Sequence, residues 1–293
     1  MIVITTPTGQ IGSQVLENLF DSDEPIRVIA RDPSRLSPRI QERVEVMAGS
    51  HGDSDVIDKA CAGADAVFWL APPNPRAKSL EAMYLEFTRP ACDAFKAQGV
   101  KRVVGVSALG RGVIVNAGLV SGSLAMDDLI AATGVNYRAL TAASFMDNML
   151  REVDSIKNQG VFFSPLTGDL KAPACATRDI AAVAAELLLD DSWSGAHGEV
   201  PILGPEDLSN EDMARIMSEV LGKPVRFQHV PADDYTAALT EHGMSEAMVR
   251  GMFDMMVAKS QGLDNAEPRT PRSTTPTSFR QWCEEVLKPA VLA

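Results

Sequence analysis

The residues with the clearest chemical content stand at the start of the chain. An apolar run over residues 2–5 leads directly into Thr6-Pro7-Thr8-Gly9-Gln10-Ile11-Gly12, and a helical pattern begins at once. Glycines in such a loop let the backbone approach a pyrophosphate, and the N–H groups that open the following helix hold its charge. On this reading Thr6, Thr8, Gly9, Gln10, Ile11 and Gly12 are cofactor-binding residues; the alternative is an ordinary tight strand-to-helix turn. The second apolar run ends Val28-Ile29-Ala30-Arg31-Asp32, about twenty residues on, where an acidic residue would hold a ribose 2′-OH and an arginine a 2′-phosphate. Arg31 comes first at the strand end, so NADP(H) is expected over NAD(H). The alternative for Arg31 is a solvated cation paired with Asp32.

Other chemistries find no support. The tyrosines are Tyr84, Tyr137 and Tyr235, and none has a lysine four residues on, so an alcohol dehydrogenase built on a Tyr-x-x-x-Lys dyad is excluded. His51, His197, His229 and His242 are far apart and form no H-E-x-x-H pattern, so no metal is expected. There is no G-x-S-x-G elbow for serine hydrolysis. Asp127-Asp128, Asp190-Asp191 and Asp233-Asp234 read as solvated helix ends. Hydride transfer to a quinone, azo compound or conjugated acceptor asks less of a protein, namely proximity and orientation, with solvent as the proton source. Ser107, at the end of the fifth strand, is the candidate catalytic residue and a cofactor contact, with a plain turn serine as the alternative. On this reading Ala71, Pro72 and Pro73, which follow the fourth strand, would line the cofactor cleft, with Pro73 as a substrate-binding candidate. Met244, Met248, Met252, Met255 and Met256 fall at helical spacing and read as a core stripe, part of which could wall a pocket for a flat apolar molecule. Residues 110–122, rich in glycine with Val113, Ile114 and Val115, read as a mobile flap or a long loop.

The elements that must position these groups alternate. Short apolar runs at 2–5, 26–31, 44–48, 66–71, 102–108 and 136–141 read as strands buried on both faces. Helical patterns lie at 11–20, 53–60, 79–97 and 124–132. The expected fold class is α/β: a Rossmann-type doubly wound parallel sheet with a smaller, mainly helical C-terminal substrate lobe. Residues 1–145 would form the dinucleotide-binding domain and 146–293 the substrate lobe, with a helix over 177–189, N-capped by Thr177, packing back on the former. Ser209 and Ser278 open later helices, and the Pro- and Thr-rich stretch 264–277 reads as an ordered arm. The 293 residues carry 27 Lys and Arg against 39 Asp and Glu, a net charge of -12, which disfavours nucleic acid as a partner. No apolar run is long enough for a membrane span, no secretory signal opens the chain, and the four cysteines are scattered. A cytoplasmic protein with a small-molecule partner is expected.

Several of these segments, in order, resemble the NmrA-like family of atypical short-chain dehydrogenase/reductases. The family's Gly-Ala-Thr-Gly-x-x-Gly is similar to Thr6 to Gly12, its Arg-Asp-Pro to Arg31-Asp32-Pro33, and its Asp-x-Val-Phe stretch followed by proline to Asp65 to Pro73. Phe145-Met146-Asp147-Asn148 is similar to its Phe-Met-Glu-Asn, and residues 202–209 to its Leu-Thr-Gly-Pro-x-x-Leu-Ser. The resemblance implies an NAD(P)H-dependent quinone or azo reductase, with Phe145 at the nicotinamide end of the cofactor and Asn148 near the substrate. The family also holds NADP-sensing regulators, so the alternative is a non-catalytic sensor that binds a protein partner. The chain departs from the family at the first loop glycine, here Thr6, and after the third strand, where Gly49-Ser50-His51 replaces an aspartate that approaches the adenine. At the family His or Lys before the sixth strand stands Ser123 or Leu124.

Overall fold

The computed structural model describes all 293 residues. In chain order the elements are β1 (Ile2–Thr5), α1 (Gln10–Leu19), β2 (Ile26–Ala30), α2 (Pro38–Arg43), β3 (Glu45–Ala48), α3 (Ser54–Cys61), β4 (Ala66–Trp69), α4 (Phe87–Ala97), β5 (Arg102–Ala108), α5 (Leu119–Ala131) and β6 (Asn136–Ala142). There follow β7 (Ser144–Phe145), α6 (Val153–Gln159), β8 (Val161–Ser164), β9 (Ala172–Cys175), α7 (Thr177–Leu189), β10 (Glu199–Ile202), β11 (Asp207–Leu208), α8 (Asn210–Leu221), β12 (Arg226–His229), α9 (Ala232–Glu241), α10 (Glu246–Ser260), α11 (Phe279–Trp282) and α12 (Lys288–Leu292).

Seven strands form one sheet in the order β10-β6-β5-β4-β1-β2-β3. The pairs β1–β2, β1–β4, β2–β3 and β4–β5 are all parallel. Strand order reverses between β1 and β4, the switch point at which open α/β sheets form a crevice beyond the strands' C-terminal ends. The near-continuous apolarity of these strands follows from burial: β1, β2 and β4 are buried along their whole length. The fully buried Trp69 and Phe95 meet edge to face at 6.1 Å in this core. The sheet and its flanking helices are the Rossmann-type α/β architecture expected.

The chain divides into two compact units, residues 1–108, 122–141 and 180–200 in the first, and residues 109–121, 142–179 and 201–293 in the second. The second unit has its own core, in which Phe279 and Trp282 stack at 5.7 Å among Phe162, Ile216 and Met217. It also holds two small sheets, β11-β9-β7 and β12-β8. Helix α8 carries the expected caps, a reciprocal Ser209–Asp212 box at its start and Gly222 at φ 66° at its end. The arm at 264–277 is ordered, with Ser273, Thr275 and Thr277 buried and Thr277 donating through its N–H and hydroxyl to Asp179.

Four expectations need correction. Thr177 is not the N-cap of α7 but its first residue, and its N–H and hydroxyl both donate to Asp147, so a carboxylate brought by the tertiary fold does the capping. The segment at 110–122 is a loop held at both ends, with residues 111–113, 115 and 116 exposed between them. Gly118, at φ 55°, lies so close to α10 that a Cβ there would fall 1.9 Å from the Gly251 carbonyl oxygen, and Gly110 abuts Leu263. The methionine stripe of α10 is not a core stripe, since Met248 is buried and Met252, Met255 and Met256 are half-buried. Asp127 is no solvated helix end: it is fully buried, while Asp128 is exposed.

Candidate functional site

The loop from β1 to α1 is built by close backbone packing. A Cβ on Gly12 would lie 2.2 Å from the Thr6 carbonyl oxygen and 3.0 Å from that of Thr5, so only glycine lets α1 start this near the strand. Gly9 is the N-cap of α1, with no side-chain cap and no acidic residue in the first turn. The first N–H groups of the helix therefore face outward without an intrahelical acceptor, and the positive end of the helix dipole points the same way. Thr6, at φ 52°, holds the left-handed conformation that a glycine would take without strain, and its buried hydroxyl has no partner in the protein. Its carbonyl accepts the Gly9 N–H at 2.9 Å, closing the turn. Thr5, one residue back, is fully buried and bridges to β4: it donates to the Phe68 carbonyl at 2.9 Å and accepts the Leu70 N–H at 3.1 Å. Such a helix start, held close to the strand by Gly12, fits the pyrophosphate of a dinucleotide.

Neighbouring strand ends supply the remaining candidates of the first unit. Arg31 is exposed just beyond β2, and its charge helps hold down the proton affinity of His51. Asp32 is turned to its own loop, with one carboxylate oxygen accepting the Ser34 N–H at 3.1 Å and the Ser34 hydroxyl at 2.6 Å. These bonds hold its carboxyl below the usual range. Ala71 and Pro72 follow β4 half-buried, and Pro73 is exposed. His51 lies beyond β3, edge-on to Trp69 and Phe87, with Nε2 at 3.0 Å from the Leu70 carbonyl oxygen. Burial pushes its pKa down to about 4, so the ring is neutral at pH 7 and Nε2 carries the proton donated to Leu70.

Ser107, at the end of β5, is buried and belongs to a polar network that the sequence does not announce. Its hydroxyl donates to one oxygen of Asp127 and lies 3.4 Å from the Ser123 hydroxyl, while Tyr137 donates to the other Asp127 oxygen at 2.6 Å. Tyr137 closes over Gly105, where a Cβ would meet its hydroxyl at 2.4 Å. The adjacent acids at 127 and 128 gave no hint of this. The i, i+4 spacing of Ser123 and Asp127 on α5 was the available signal.

In the second unit, Phe145 is half-buried on β7, in register with Cys175 of β9, and Asn148 is exposed in the following 3₁₀ turn. Next to Phe145, Ser144 accepts from Lys259 at 3.1 Å, and Lys259 is paired with buried Asp264. This ion pair joins α10 to the turn that follows it and was not foreseen either.

A model of the NmrA-like family matches residues 1–282. The chain is 28% identical over 292 residues to (4-alkanoyl-5-oxo-2,5-dihydrofuran-3-yl)methyl phosphate reductase of Streptomyces griseus, covering 97% of each chain. It is 27% identical over 257 residues to the NAD(P)H azoreductase of Xenophilus azovorans, covering 87% of this chain and 86% of the relative. Among solved structures it is similar to the NADPH-dependent quinone oxidoreductase of Escherichia coli in complex with NADPH. The TM-score is 0.79 at 22% identity, over 96% of this chain and 98% of the other. With a match that runs from the first strand to the last helices, this chain belongs to the NmrA-like family.

Proposed function

We propose that the protein is an NAD(P)H-dependent reductase, with NADP(H) preferred, that passes hydride to a small, planar, electron-poor acceptor of the quinone, azo or enone type. The observation that carries the reading is the glycine-built cradle at the β1/β4 switch point, with a bare helix N-terminus behind it and Arg31 beside it. The named activities of the relatives support it, and no observation favours a protein-binding sensor. Reduced nicotinamide, when bound, supplies hydride from its C4. The N–H groups opening α1 hold the pyrophosphate. Arg31 takes the 2′-phosphate, a role that Asp32 does not contest for the ribose because Ser34 engages its carboxylate. Ala71, Pro72 and Pro73 limit water at the strand ends. Ser107 commits its one proton to Asp127, so toward a ligand it accepts a hydrogen bond, for example from the nicotinamide amide. Phe145 is assigned to the nicotinamide end and Asn148 to the acceptor.

Two measurements test this. Stopped-flow or steady-state oxidation of NADPH with a panel of quinones, azo dyes and enones gives turnover with at least one acceptor; nucleotide binding without any turnover refutes the reductase reading. Arg31→Ala weakens NADPH roughly 10- to 100-fold, the worth of one charge-assisted phosphate contact, and leaves NADH within about twofold. An unchanged preference refutes the 2′-phosphate assignment.

A further inference from the structure

A half-buried phenol packs on α5, the helix that carries Ser123 and Asp127 of the Ser107 network, without taking part in that network. The chain between β4 and α4 winds as a π-helical turn over Ala82–Glu86, an uncommon geometry that re-aims side chains and is frequent at functional sites. The turn carries Tyr84 onto α5, where a Cβ on Gly122 would fall 2.5 Å from the tyrosine Cδ2. Glycine at 122 therefore makes the seat for this ring. The next residue, Ser123, is the one whose hydroxyl lies 3.4 Å from Ser107. Tyr84 is thus linked through Gly122 and its neighbour Ser123 to Ser107 at the C-terminal end of β5, the end of the sheet at which such folds bind their ligands. The Tyr84 ring packs against the core of the first unit, but its hydroxyl makes no hydrogen bond within the protein and keeps solvent access. The hydroxyls of the network are engaged: Ser107 and Tyr137 both donate to Asp127, Ser123 lies 3.4 Å from Ser107, and Tyr137 is fully buried.

Building on the reductase reading above, we propose that Tyr84 is the proton donor to the reduced acceptor. Hydride addition breaks the acceptor's N=N, C=C or C=O π bond and leaves an anion on nitrogen, enolate or oxygen. Tyr84 breaks its O–H bond and forms the new N–H, C–H or O–H bond, and its phenolate recovers a proton from solvent. The sum is acceptor, reduced nucleotide and one proton in, and reduced acceptor and oxidised nucleotide out. Burial of the ring pushes the phenol up to about 12, so it is protonated at neutral pH and serves as an acid. A weak acid of this kind helps most where the anion is most basic. Azo-nitrogen anions and enolates gain from it, and the less basic hydroquinone anion gains little.

The test is Tyr84→Phe, which keeps the ring on Gly122. Azo-dye and enone turnover is expected to fall by about 100-fold, within the usual range for a positioned acid, and quinone turnover by a smaller factor, as its anion is less basic. A second readout needs no turnover. In the presence of oxidised nucleotide, 4-nitrophenolate, a stable oxyanion, binds wild type and is followed by its visible absorbance; Tyr84→Phe weakens it about 10-fold or more, as loss of one hydrogen bond to a charged group should. Azo and enone turnover and 4-nitrophenolate binding all within twofold of wild type would overturn the assignment. So would a wild-type enzyme that reduces quinones but neither azo dyes nor enones. A wild-type protein that binds NADPH yet reduces none of the three refutes the reductase reading itself, and the assignment with it.

Discussion

His51 makes the stability of the first unit sensitive to acid. Its ring is wedged edge-on between Trp69 and Phe87, with centroids at 5.1 and 4.9 Å, and Arg31 adds repulsion to any charge placed there. The folded pKa is about 4 and the unfolded one 6.5. The folded state thus binds fewer protons between these values, so stability rises with pH across that window and is lost as pH falls from 6.5 toward 4. Integrating between pH 7.5 and pH 5 with these two values gives a loss of about 2 kcal/mol from this one residue. His51→Gln retains a donor for the Leu70 carbonyl but does not titrate. Urea unfolding of wild type and variant at both pH values isolates the term, because every other titrating group is shared. The stability advantage of wild type over variant should shrink by about 2 kcal/mol on going to pH 5. A difference between the two proteins that stays constant from pH 7.5 to pH 5 would refute the claim that His51 is buried neutral.

Two further predictions concern the glycine loop. Gly12→Ala sets a methyl 2.2 Å from the Thr6 carbonyl oxygen, backbone against helix, so the loop must open. NADPH should bind at least about tenfold more weakly and the fold should lose about 2 kcal/mol, read by titration and urea melts; unchanged binding would sink the cradle. Thr6→Gly removes a β-branched residue from φ 52° and an unpartnered buried hydroxyl, and should raise stability by about 1 kcal/mol, seen as a higher melting temperature. A lower melting temperature would show that the threonine is not strained.

The legibility of this protein tracks how local each cause is. Strands β1, β2, β4 and β5 are readable because burial on both faces leaves a run of apolar residues. The tight turn at Gly9 and Gly12 is readable because one strand-loop-helix segment carries it. Even Thr6 is consistent with this, for the structure shows the left-handed backbone that explains why the family places glycine there. Tyr84, Asp127 and Lys259 are different. Asp127 looks like any acid on a helix until β5 and β6 bring Ser107 and Tyr137 to its two oxygens. Tyr84 looks like any aromatic on an amphipathic helix until a π-turn and Gly122 seat it. The methionines of α10 have the spacing of a core stripe, but spacing names a face and not what covers it, and most of that face is half-buried. The sequence by itself determined the α/β class, the glycine turn between the first strand and first helix, and the absence of a Tyr-x-x-x-Lys dyad. Only the tertiary structure decided which hydroxyls are committed and how the Tyr84 ring is seated, because that depends on partners that are 10 to 38 residues away in the chain.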